Sequence, residues 1–436
     1  MWYDLVEQQR QWLRAWRAAT RHAFDAWPVA TLPHAASSCY ADLFEPLLGP
    51  SDEPPPFAIG PLARDGGCDA IHEEIVARTP FCLLRRFSRA QAPPALPAPR
   101  AVLLSAPLAG HAAVMMRETI ETLLADGDVY VTDWTNARDV PLDAGRFGLD
   151  EYVTMLDDFV DALARDARPL HVVAVCQATV PALGALALRA ARGGAPAASV
   201  TLIGGPLDAR RNPSTLGLAA ASHSLDWCRR HLIDVVPADF AGRGRDVFPT
   251  YLQQAEIAIV YPQRYLTLID LYAQAATRAD SAALADARRA MREYTALLDM
   301  PAEYFLDTVD IVFQRACLAN GTWHVRGARV EPAALRGTAL LTVEGTSDAV
   351  TGSGQTHAAH ELCTGLAVHE RHRLDIDGCD HYGLFTGPRW RDDVHPALQT
   401  LFLEAETRTA ATPRVTAPPP RARRRAAREL PRRSSA

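Results

Sequence analysis

The sequence predicts an α/β fold with a mostly parallel, doubly wound sheet and one helical insertion. Three observations carry this prediction. Strand and helix patterns alternate from Arg100 onwards, helical patterns alone fill residues 210–336, and the alternation then resumes. Strands that alternate with helices indicate βαβ units and a parallel sheet. In such a sheet, the loops at the carboxyl ends of the strands form the functional site.

The two halves of the predicted core lie on either side of the helical insertion. Residues 100–209 form the first half, residues 210–336 an inserted helical lid, and residues 337–407 the second half. In the first half, the sequence pattern predicts a strand at 101–105, a helix that ends at Gly127, a strand at 128–134 and a helix at 151–166. It then predicts a strand and a helix within 171–189, and a strand that begins at residue 199 and ends at a Gly-Gly turn. The second half predicts a strand at 338–345, a helix at 355–363 and a strand at 370–376.

The segment before the core predicts one helix and an extended lead-in, which together make up residues 1–99. Residues 1–27 have the apolar spacing of an amphipathic helix and hold four of the eight tryptophans. Such a helix either packs on the core of the protein itself or lies on an apolar surface, with tryptophan as the anchor. Proline clusters in residues 28–99 favour an irregular connection. The apolar positions of the helix are Trp2, Leu5, Val6, Trp12, Leu13, Trp16 and Phe24.

Composition excludes several classes of chemistry. All 45 basic residues are arginine, so a lysine Schiff base and a Walker-type phosphate loop are ruled out. The eight cysteines include no C-x-x-C pair, which argues against zinc or iron–sulfur sites. We therefore predict no metal and no organic cofactor. We find no apolar signal core and no stretch typical of a membrane span, and this favours a cytoplasmic protein.

The last segment, residues 408–436, differs sharply from the rest of the chain. It is rich in proline and alanine and contains nine arginines and one glutamate, in a protein whose net charge is −6. Low complexity of this kind predicts a disordered tail.

The stretch His171–Arg189 has the pattern of a nucleophile elbow, in which a strand, a tight turn and a helix present a reactive side chain. β-branched residues suited to a buried strand precede Cys176, and an alanine- and leucine-rich helical pattern follows it. The small residues Ala174 and Ala178 flank the cysteine, as a tight turn requires. The positive end of the helix would favour a thiolate. Taken alone, the stretch is equally compatible with an inert, buried cysteine.

A cysteine nucleophile needs a base, and the base needs an orienting carboxylate. In this type of fold the chain order is nucleophile, acid, histidine. Asp348 and His381 follow predicted strands in that order, so we predict a triad of Cys176, Asp348 and His381. Asp377 and Asp380 are rival acids, but they lie too close to the histidine in sequence to support its ring across a site.

Backbone N–H groups are expected to stabilise the oxyanion. The fold type uses the residue after the nucleophile, here Gln177, and one residue of an early strand loop. In that loop Pro107 has no N–H, so Leu108 or Ala109 must donate. His111 could line the site, although a structural role is an equal alternative.

Two other patterns are weaker. Ser347 also follows a strand, but a glycine-rich turn replaces the helix, and too little chain remains for an acid and a histidine. His357 and His360, with His369 and His372, have a histidine spacing that no thiol or acidic ligand set completes. We expect a solvated face there, and no metal.

Seven longer motifs lie along the chain: VCQATVPALGALAL, APLAGH, DVYVTDWTNARDVPLDAGRFGLDEYV, GGPLDARRNP, DMPAEYFLDTV, LTVEGTSDAVTGSGQTHAAHELC and HYGLFTG. Together they resemble intracellular polyhydroxyalkanoate depolymerases, over about residues 1–405. The resemblance implies an α/β-hydrolase fold, hydrolysis of amorphous poly(3-hydroxybutyrate) in granules, and a catalytic Cys176 with Asp348 and His381 as its partners. Many relatives have two acidic residues where this chain has Asp348-Ala349, and the arginine-rich tail is an addition.

These patterns favour a polyester hydrolase that acts through an acyl-thioester on Cys176. The expected partner is the surface of a polyhydroxyalkanoate granule in the cytoplasm, and no specific nucleic acid is expected. Two alternatives stay open. One is an acyltransferase similar to polyhydroxyalkanoate synthases, which typically carry glycines where Ala174 and Ala178 flank the cysteine here. The other is a catalytically silent protein of the granule surface.

Overall fold

An eight-stranded sheet runs through the centre of the molecule. The computed structural model describes residues 2–25, 56–64, 67–90, 100–166, 168–260, 262–278, 280–295 and 297–411. The strands of the sheet are β1 Ile71–Arg78, β2 Cys82–Arg89, β3 Ala101–Ser105, β4 Asp128–Trp134, β5 Leu170–Val175, β6 Ser199–Ile203, β7 Ala339–Gly345 and β8 Arg371–Ile376.

The strand order creates a crevice at the middle of the sheet. The spatial order is β1-β2-β4-β3-β5-β6-β7-β8. β2 pairs antiparallel with β1 and β4, and the remaining pairs are parallel. After β3 the chain first adds β4 on one side and later β5 on the other. The carboxyl ends of β3 and β5 are therefore neighbours, with Ser105 opposite Ala174, and ligands bind at such a switch point.

Helices cover both faces of the sheet, as a doubly wound fold requires. One apolar cluster joins the sheet to the helices Leu149–Ala164 and Thr179–Ala191. A second cluster on the other face includes residues of Arg117–Leu123 and His395–Ala411. The predicted α/β class with a mostly parallel sheet is confirmed. None of the helices in the described ranges combines the length and apolarity that a membrane span needs.

Two predicted helices of the core differ in extent. The helix expected before Gly127 is broken at Met116 into Ala112–Met115 and Arg117–Leu123. The helix expected at 355–363 is reduced to Ala359–Leu362, because turns occupy the residues before it.

The prediction of an irregular lead-in over residues 28–99 was wrong for residues 71–89. These residues form the hairpin β1–β2, which extends the sheet beyond β4. Arg85 Nη1 lies 2.8 Å from Glu73 Oε1, and Arg86 Nη1 lies 2.7 Å from Glu74 Oε1. Because these charged residues take positions in both strands, the sequence lacks the apolar alternation that normally predicts a strand. A short hairpin, Leu62–Arg64 with Gly67–Asp69, precedes it, and residues 26–55 and 91–99 lie outside the described ranges.

The region between β6 and β7, which we interpret as a lid over residues 210–336, is mostly helical. Its helices are Thr215–Ser222, Leu225–His231, Thr250–Val260, Pro262–Thr277, Ser281–Thr295, Ala302–Asp307 and a π-helical turn at Thr308–Gln314. The sequence patterns missed its short strands, which are Asp234–Val235, Asp246–Phe248, Met300–Pro301, His324–Val325 and Ala328–Arg329. The first three form a small antiparallel sheet.

The last helix, His395–Ala411, includes residues 408–411, so the prediction of a disordered tail from residue 408 was wrong for these four residues. Glu406 explains the extension. Its Oε2 atom accepts a hydrogen bond of 3.0 Å from Arg100 Nη2, and its Oε1 atom lies 3.1 Å from His171 Nε2 in β5. These contacts fasten the last turns of the helix to the sheet. Residues 412–436, most of the predicted tail, lie outside the described residues.

The N-terminal helix, Trp2–Asp25, packs on the lid through the face that carries Tyr3 and turns its tryptophans outward. Tyr3, Glu7 and Arg10 are buried, and the Tyr3 hydroxyl donates to Asp299. The outward stripe consists of Trp2, Leu5, Trp12 and Trp16, which are 70%, 55%, 64% and 58% exposed. The apolar spacing therefore does not mark the face that packs on the protein.

Candidate active site

Cys176 lies directly after β5 in a strained backbone conformation. Its φ angle is +56°, in the left-handed region that non-glycine residues avoid. A single turn, Cys176–Ala178, leads into the helix Thr179–Ala191. The Thr179 hydroxyl donates a hydrogen bond of 2.8 Å to the Cys176 carbonyl, which holds the turn closed. This strand–turn–helix geometry is that of a nucleophile elbow.

The two glycines after β6 make room for the site. Gly204 has a φ angle of +56°, and a Cβ atom on it would lie 3.2 Å from Cε1 of His381. A Cβ atom on Gly205 would collide with Thr179 and lie 2.6 Å from the carbonyl oxygen of Cys176. Glycine is therefore required at both positions, because the backbone here touches both the predicted base and the nucleophile turn.

Asp348 and His381 are hydrogen-bonded and buried. The Nδ1 atom of His381 lies 2.7 Å from Oδ2 of Asp348, and their side chains are 5% and 2% exposed. The other oxygen, Oδ1, accepts backbone N–H groups of Val350 and Thr351 at 2.8 and 2.9 Å. The carboxylate is thus fixed on both sides and aimed at the imidazole. This arrangement sets the ring orientation and places the proton on Nδ1.

His381 also lies beside Cys176. Burial alone would lower the pKa of His381, but the charges of Asp348 and Cys176, with hydrogen bonds to both, outweigh burial and raise the pKa well above its ordinary value. The structure therefore brings the three residues of the predicted triad together, in the order Asp348–His381–Cys176. This arrangement can deprotonate a thiol and shuttle its proton.

The predicted oxyanion segments follow two neighbouring strands, β5 and β3. Gln177 lies in the turn Cys176–Ala178 after β5, and Leu108 and Ala109 form a turn just beyond β3. The start of this loop is firmly held at Ala106. Its carbonyl oxygen accepts hydrogen bonds of 2.9 Å from Trp134 Nε1 and 3.1 Å from the Tyr152 hydroxyl.

His111 is buried and precedes the helix Ala112–Met115. Burial, together with the charge of Arg138, lowers the pKa of His111 to about 4, so the ring is neutral near pH 7. It does not line the pocket above Cys176. The two roles considered for His111, in the site or in the structure, both stay predictions.

Ser347 lacks the surroundings of a nucleophile. Ser347 is exposed, and its backbone N–H donates a hydrogen bond of 3.0 Å to the Cys379 carbonyl. Turns, and not a helix, follow it.

The expectation of a solvated histidine face was wrong for His357 and His360. Both are buried, and their rings lie 2.6 and 2.7 Å from the Thr342 hydroxyl. The fold also brings Glu344 and Asp375 to His357, a set that strand pairing joins across a long stretch of sequence. The oxygens of Glu344 accept backbone N–H groups of the loop 354–357. We interpret the cluster as a support for the loop after β7.

An apolar pocket of about 310 Å³ lies above Cys176 and Gln177. Most of its wall comes from the lid, and apolar side chains dominate it. The lid residues in its wall are Leu216, Ala219, Ala220, His223, Trp227, Cys228, Leu232, Phe248, Glu256, Met300, Tyr304, Phe305, Thr308, Val309, Val312 and Phe313.

Sequence reasoning missed two polar residues of this wall. Tyr304 is buried, and its hydroxyl donates to the Gln177 side chain at 2.6 Å. Glu256 projects from the helix Thr250–Val260 into the apolar surroundings. Tyr304 lies within the motif DMPAEYFLDTV, but the pattern itself gave no sign that its hydroxyl reaches the nucleophile turn.

The strand order and the nucleophile elbow identify the chain as an α/β-hydrolase-fold protein. Solved structures with this fold include a monoacylglycerol lipase from Paleococcus ferrophilus, at 15% identity and a TM-score of 0.42, with 71% of this chain and 96% of that chain covered. A carboxylesterase from Nitrososphaera gargenis is 12% identical with a TM-score of 0.41, over 79% of this chain and 98% of that one. No curated protein matches the chain.

Residues 204–406 match the family described as "PHB de-polymerase C-terminus". The matched region begins at the glycine pair and contains Asp348 and His381, whereas Cys176 precedes it. The resemblance to polyhydroxyalkanoate depolymerases is thereby confirmed for residues 204–406. The family region and the hydrolase fold together support an ester hydrolase.

Proposed function

We propose that this protein is an intracellular polyhydroxyalkanoate depolymerase that hydrolyses amorphous poly(3-hydroxybutyrate) to 3-hydroxybutyrate and its oligomers. One observation supports this most strongly: the hydrogen-bonded pair Asp348–His381 lies beside Cys176, and Cys176 lines an apolar pocket. An apolar pocket suits the methyl-bearing backbone of the polyester. No metal or organic cofactor enters the proposal.

The first half of the reaction forms an acyl-thioester. His381 takes the thiol proton of Cys176, and the sulfur attacks the ester carbonyl carbon. Backbone N–H groups of Gln177 and of Leu108 or Ala109 stabilise the oxyanion. When the tetrahedral intermediate collapses, the carbon–oxygen ester bond breaks, and His381 gives its proton to the leaving alcohol. Asp348 keeps the imidazole oriented throughout.

The second half releases the hydroxyacid. His381 takes a proton from water, and the resulting hydroxide attacks the thioester carbonyl. The carbon–sulfur bond then breaks, and the proton returns to the sulfur of Cys176. A thiol acceptor in place of water would instead give a new thioester, the product of the acyltransferase alternative.

The central experiment incubates the protein with amorphous poly(3-hydroxybutyrate) granules and measures the soluble products by mass spectrometry, with and without an added thiol. We expect free 3-hydroxybutyrate and short oligomers from the wild type and none from Cys176→Ala. Cys68→Ala removes an exposed thiol far from the triad in sequence and serves as the matched control. Substantial hydrolysis by Cys176→Ala would contradict the cysteine mechanism and direct attention back to Ser347.

We further propose that the protein works at the granule surface. The outward stripe of Trp2, Leu5, Trp12 and Trp16 offers aromatic anchors to an apolar surface. The segment 412–436 adds eight arginines and one glutamate, which attract anionic surfaces in a salt-dependent way.

Sedimentation with granules tests both elements. Trp12→Gln/Trp16→Gln should lower granule binding at every salt concentration, because it removes apolar contacts. Deletion of 412–436 should lower binding at low salt and matter less as salt rises. Equal binding by the deletion variant at all salt concentrations would leave the tail without a role at the granule. Equal granule binding by the tryptophan variant and the wild type would show that the outward stripe does not bind the granule.

A further inference from the structure

The apolar pocket contains one acidic side chain, that of Glu256. Among the residues that line the pocket, the other groups able to ionise are Cys176, His223, Cys228 and Tyr304, and no arginine faces it. Glu256 belongs to the lid helix Thr250–Val260, and Cys176 lines the same pocket from the end of β5. A substrate acylated on Cys176 and extending under the lid therefore shares the cavity with this carboxyl group.

Glu256 is half-buried, and the side chains that line the pocket with it are mostly apolar. Burial raises its pKa to about 7. Burial and the charge of Glu256 also raise the pKa of its neighbour Cys228. A carboxyl group among apolar side chains keeps fewer water partners than one on the open surface, so a polar group of a bound substrate can replace the water that it has lost.

We propose that Glu256 is a specificity-determining residue that binds the hydroxyl group at the end of the acyl chain. This inference rests on the proposed function, because it names the end of the polyester that enters the pocket. In a 3-hydroxyacyl unit held on Cys176, the methyl and methylene groups contact the apolar wall. The remaining polar group is the hydroxyl. An ionised carboxylate accepts a hydrogen bond from it, and a protonated carboxyl can donate or accept one.

The same group disfavours the other end of the chain. A polyester has a hydroxyl at one end and a carboxylate at the other, and a carboxylate entering the pocket would meet the like charge of ionised Glu256. The chain therefore enters with its hydroxyl end first. Attack by Cys176 on the first ester carbonyl forms the carbon–sulfur bond and breaks the ester bond. The proton from His381 goes to the departing chain, which leaves with a new hydroxyl end ready to enter again.

The first test compares two small substrates that differ by this hydroxyl, 4-nitrophenyl 3-hydroxybutyrate and 4-nitrophenyl butyrate. We expect the wild type to favour the hydroxylated ester by about tenfold in kcat/KM, the fold-change of one hydrogen bond to a carboxyl group. Glu256→Leu should reduce this ratio to about one. Glu256→Gln, which keeps hydrogen-bonding groups, should retain part of it. Asp270→Asn, a lid carboxylate outside the pocket, should show the wild-type ratio.

The second test uses 3-hydroxybutyrate trimers blocked at one end. An acetylated hydroxyl should slow cleavage by the wild type about tenfold or more, whereas a methyl ester at the carboxyl end should not. Glu256→Leu should lose this discrimination. Equal cleavage of the two blocked trimers, or an unchanged ester ratio in Glu256→Leu, would overturn the inference while ester hydrolysis itself stands. Failure of the wild type to cleave any of these esters would overturn the proposed function as well.

Discussion

The hydroxyl group of Tyr304 donates a hydrogen bond to the side-chain oxygen of Gln177, across an oxygen–oxygen distance of 2.6 Å. The bond joins the lid helix Ala302–Asp307 to the residue after the nucleophile. The Tyr304 ring also contacts that of Tyr152, with centroids 5.7 Å apart. The Tyr152 hydroxyl in turn holds the Ala106 carbonyl at the start of the other oxyanion segment. Two tyrosines thus connect the lid to both segments expected to bind the oxyanion.

We predict that Tyr304→Phe lowers kcat about tenfold with a smaller change in KM. The ring packing survives, whereas the hydrogen bond that fixes Gln177 is lost, and its loss matters most in the transition state. Steady-state kinetics with a soluble ester measure the split. Tyr251→Phe is the matched control, because its hydroxyl bonds Asp234 at 3.2 Å in the lid and away from the pocket. A change in KM alone would show that Tyr304 only shapes the pocket.

The triad assignment predicts non-additive losses. Asp348→Asn and His381→Ala should each lower kcat/KM by several orders of magnitude, and the double variant should be little worse than the poorer single one. The rival acids are the controls. Asp377 accepts the Thr346 hydroxyl at 3.1 Å, and Asp380 accepts the backbone N–H of Gly383 at 2.8 Å. If Asp377→Asn or Asp380→Asn were the inactivating change, Asp348 would not be the acid.

The protonation of His381 should depend on both of its partners. Because the charges of Asp348 and Cys176 raise its pKa, we expect Cys176→Ala and Asp348→Asn each to lower that pKa in a histidine NMR titration. An unchanged pKa in both variants would show that the two side chains do not interact with the imidazole as described.

The same coupling has a consequence for stability. A raised folded-state pKa adds stability that is fully present below the ordinary value of about 6.5. This contribution is lost as pH rises through the higher folded value. The free energy of unfolding, measured with a denaturant, should therefore differ most between the wild type and Asp348→Asn near pH 6. This difference should become smaller in alkaline solution. A constant difference would mean that His381 titrates alike in the folded and unfolded chains.

The close approach at Gly205 predicts a steric effect. Gly205→Ala should cost about 1–3 kcal/mol of stability, because its methyl group would push against Thr179 and the Cys176 carbonyl. It should also lower activity by displacing the nucleophile turn. Thermal unfolding and ester hydrolysis measure the two effects. Gly67→Ala is the matched control, since a methyl group there meets open space. If Gly205→Ala had the thermal stability and the hydrolytic activity of the wild type, the close contact at Gly205 would not be rigid.

Strong local patterns allowed the core and the three triad positions to be predicted. The strands before Cys176 and Asp348 are short, buried and mostly apolar runs, whereas the strand before His381 is charged and only partly buried. The carboxyl ends of all three parallel strands meet at one edge of the sheet. Glu256 and the Tyr304–Gln177 bond could not be predicted in the same way. They depend on how the lid packs over the sheet, which local periodicity does not encode.

In two other elements, the hairpin β1–β2 and the N-terminal helix, the apolar pattern of the sequence did not indicate the structure. The strands β1 and β2 carry charges that satisfy each other across the hairpin, so their sequences resemble a loop. In the N-terminal helix the apolar stripe was expected to indicate either packing or a surface. Polar contacts of Tyr3 and Arg10 hold the helix to the protein instead and leave the stripe outside.

The charged hairpin also affects how copies of the molecule meet. β1 is an outer strand of the main sheet, and within the described ranges no further strand pairs with its other side. The backbone groups of an outer strand can pair with an approaching strand. A second chain that added to this edge would have to strip water from Glu73, Glu74 and their arginines without offering new partners. These charges therefore disfavour edge-to-edge pairing of two copies at this strand.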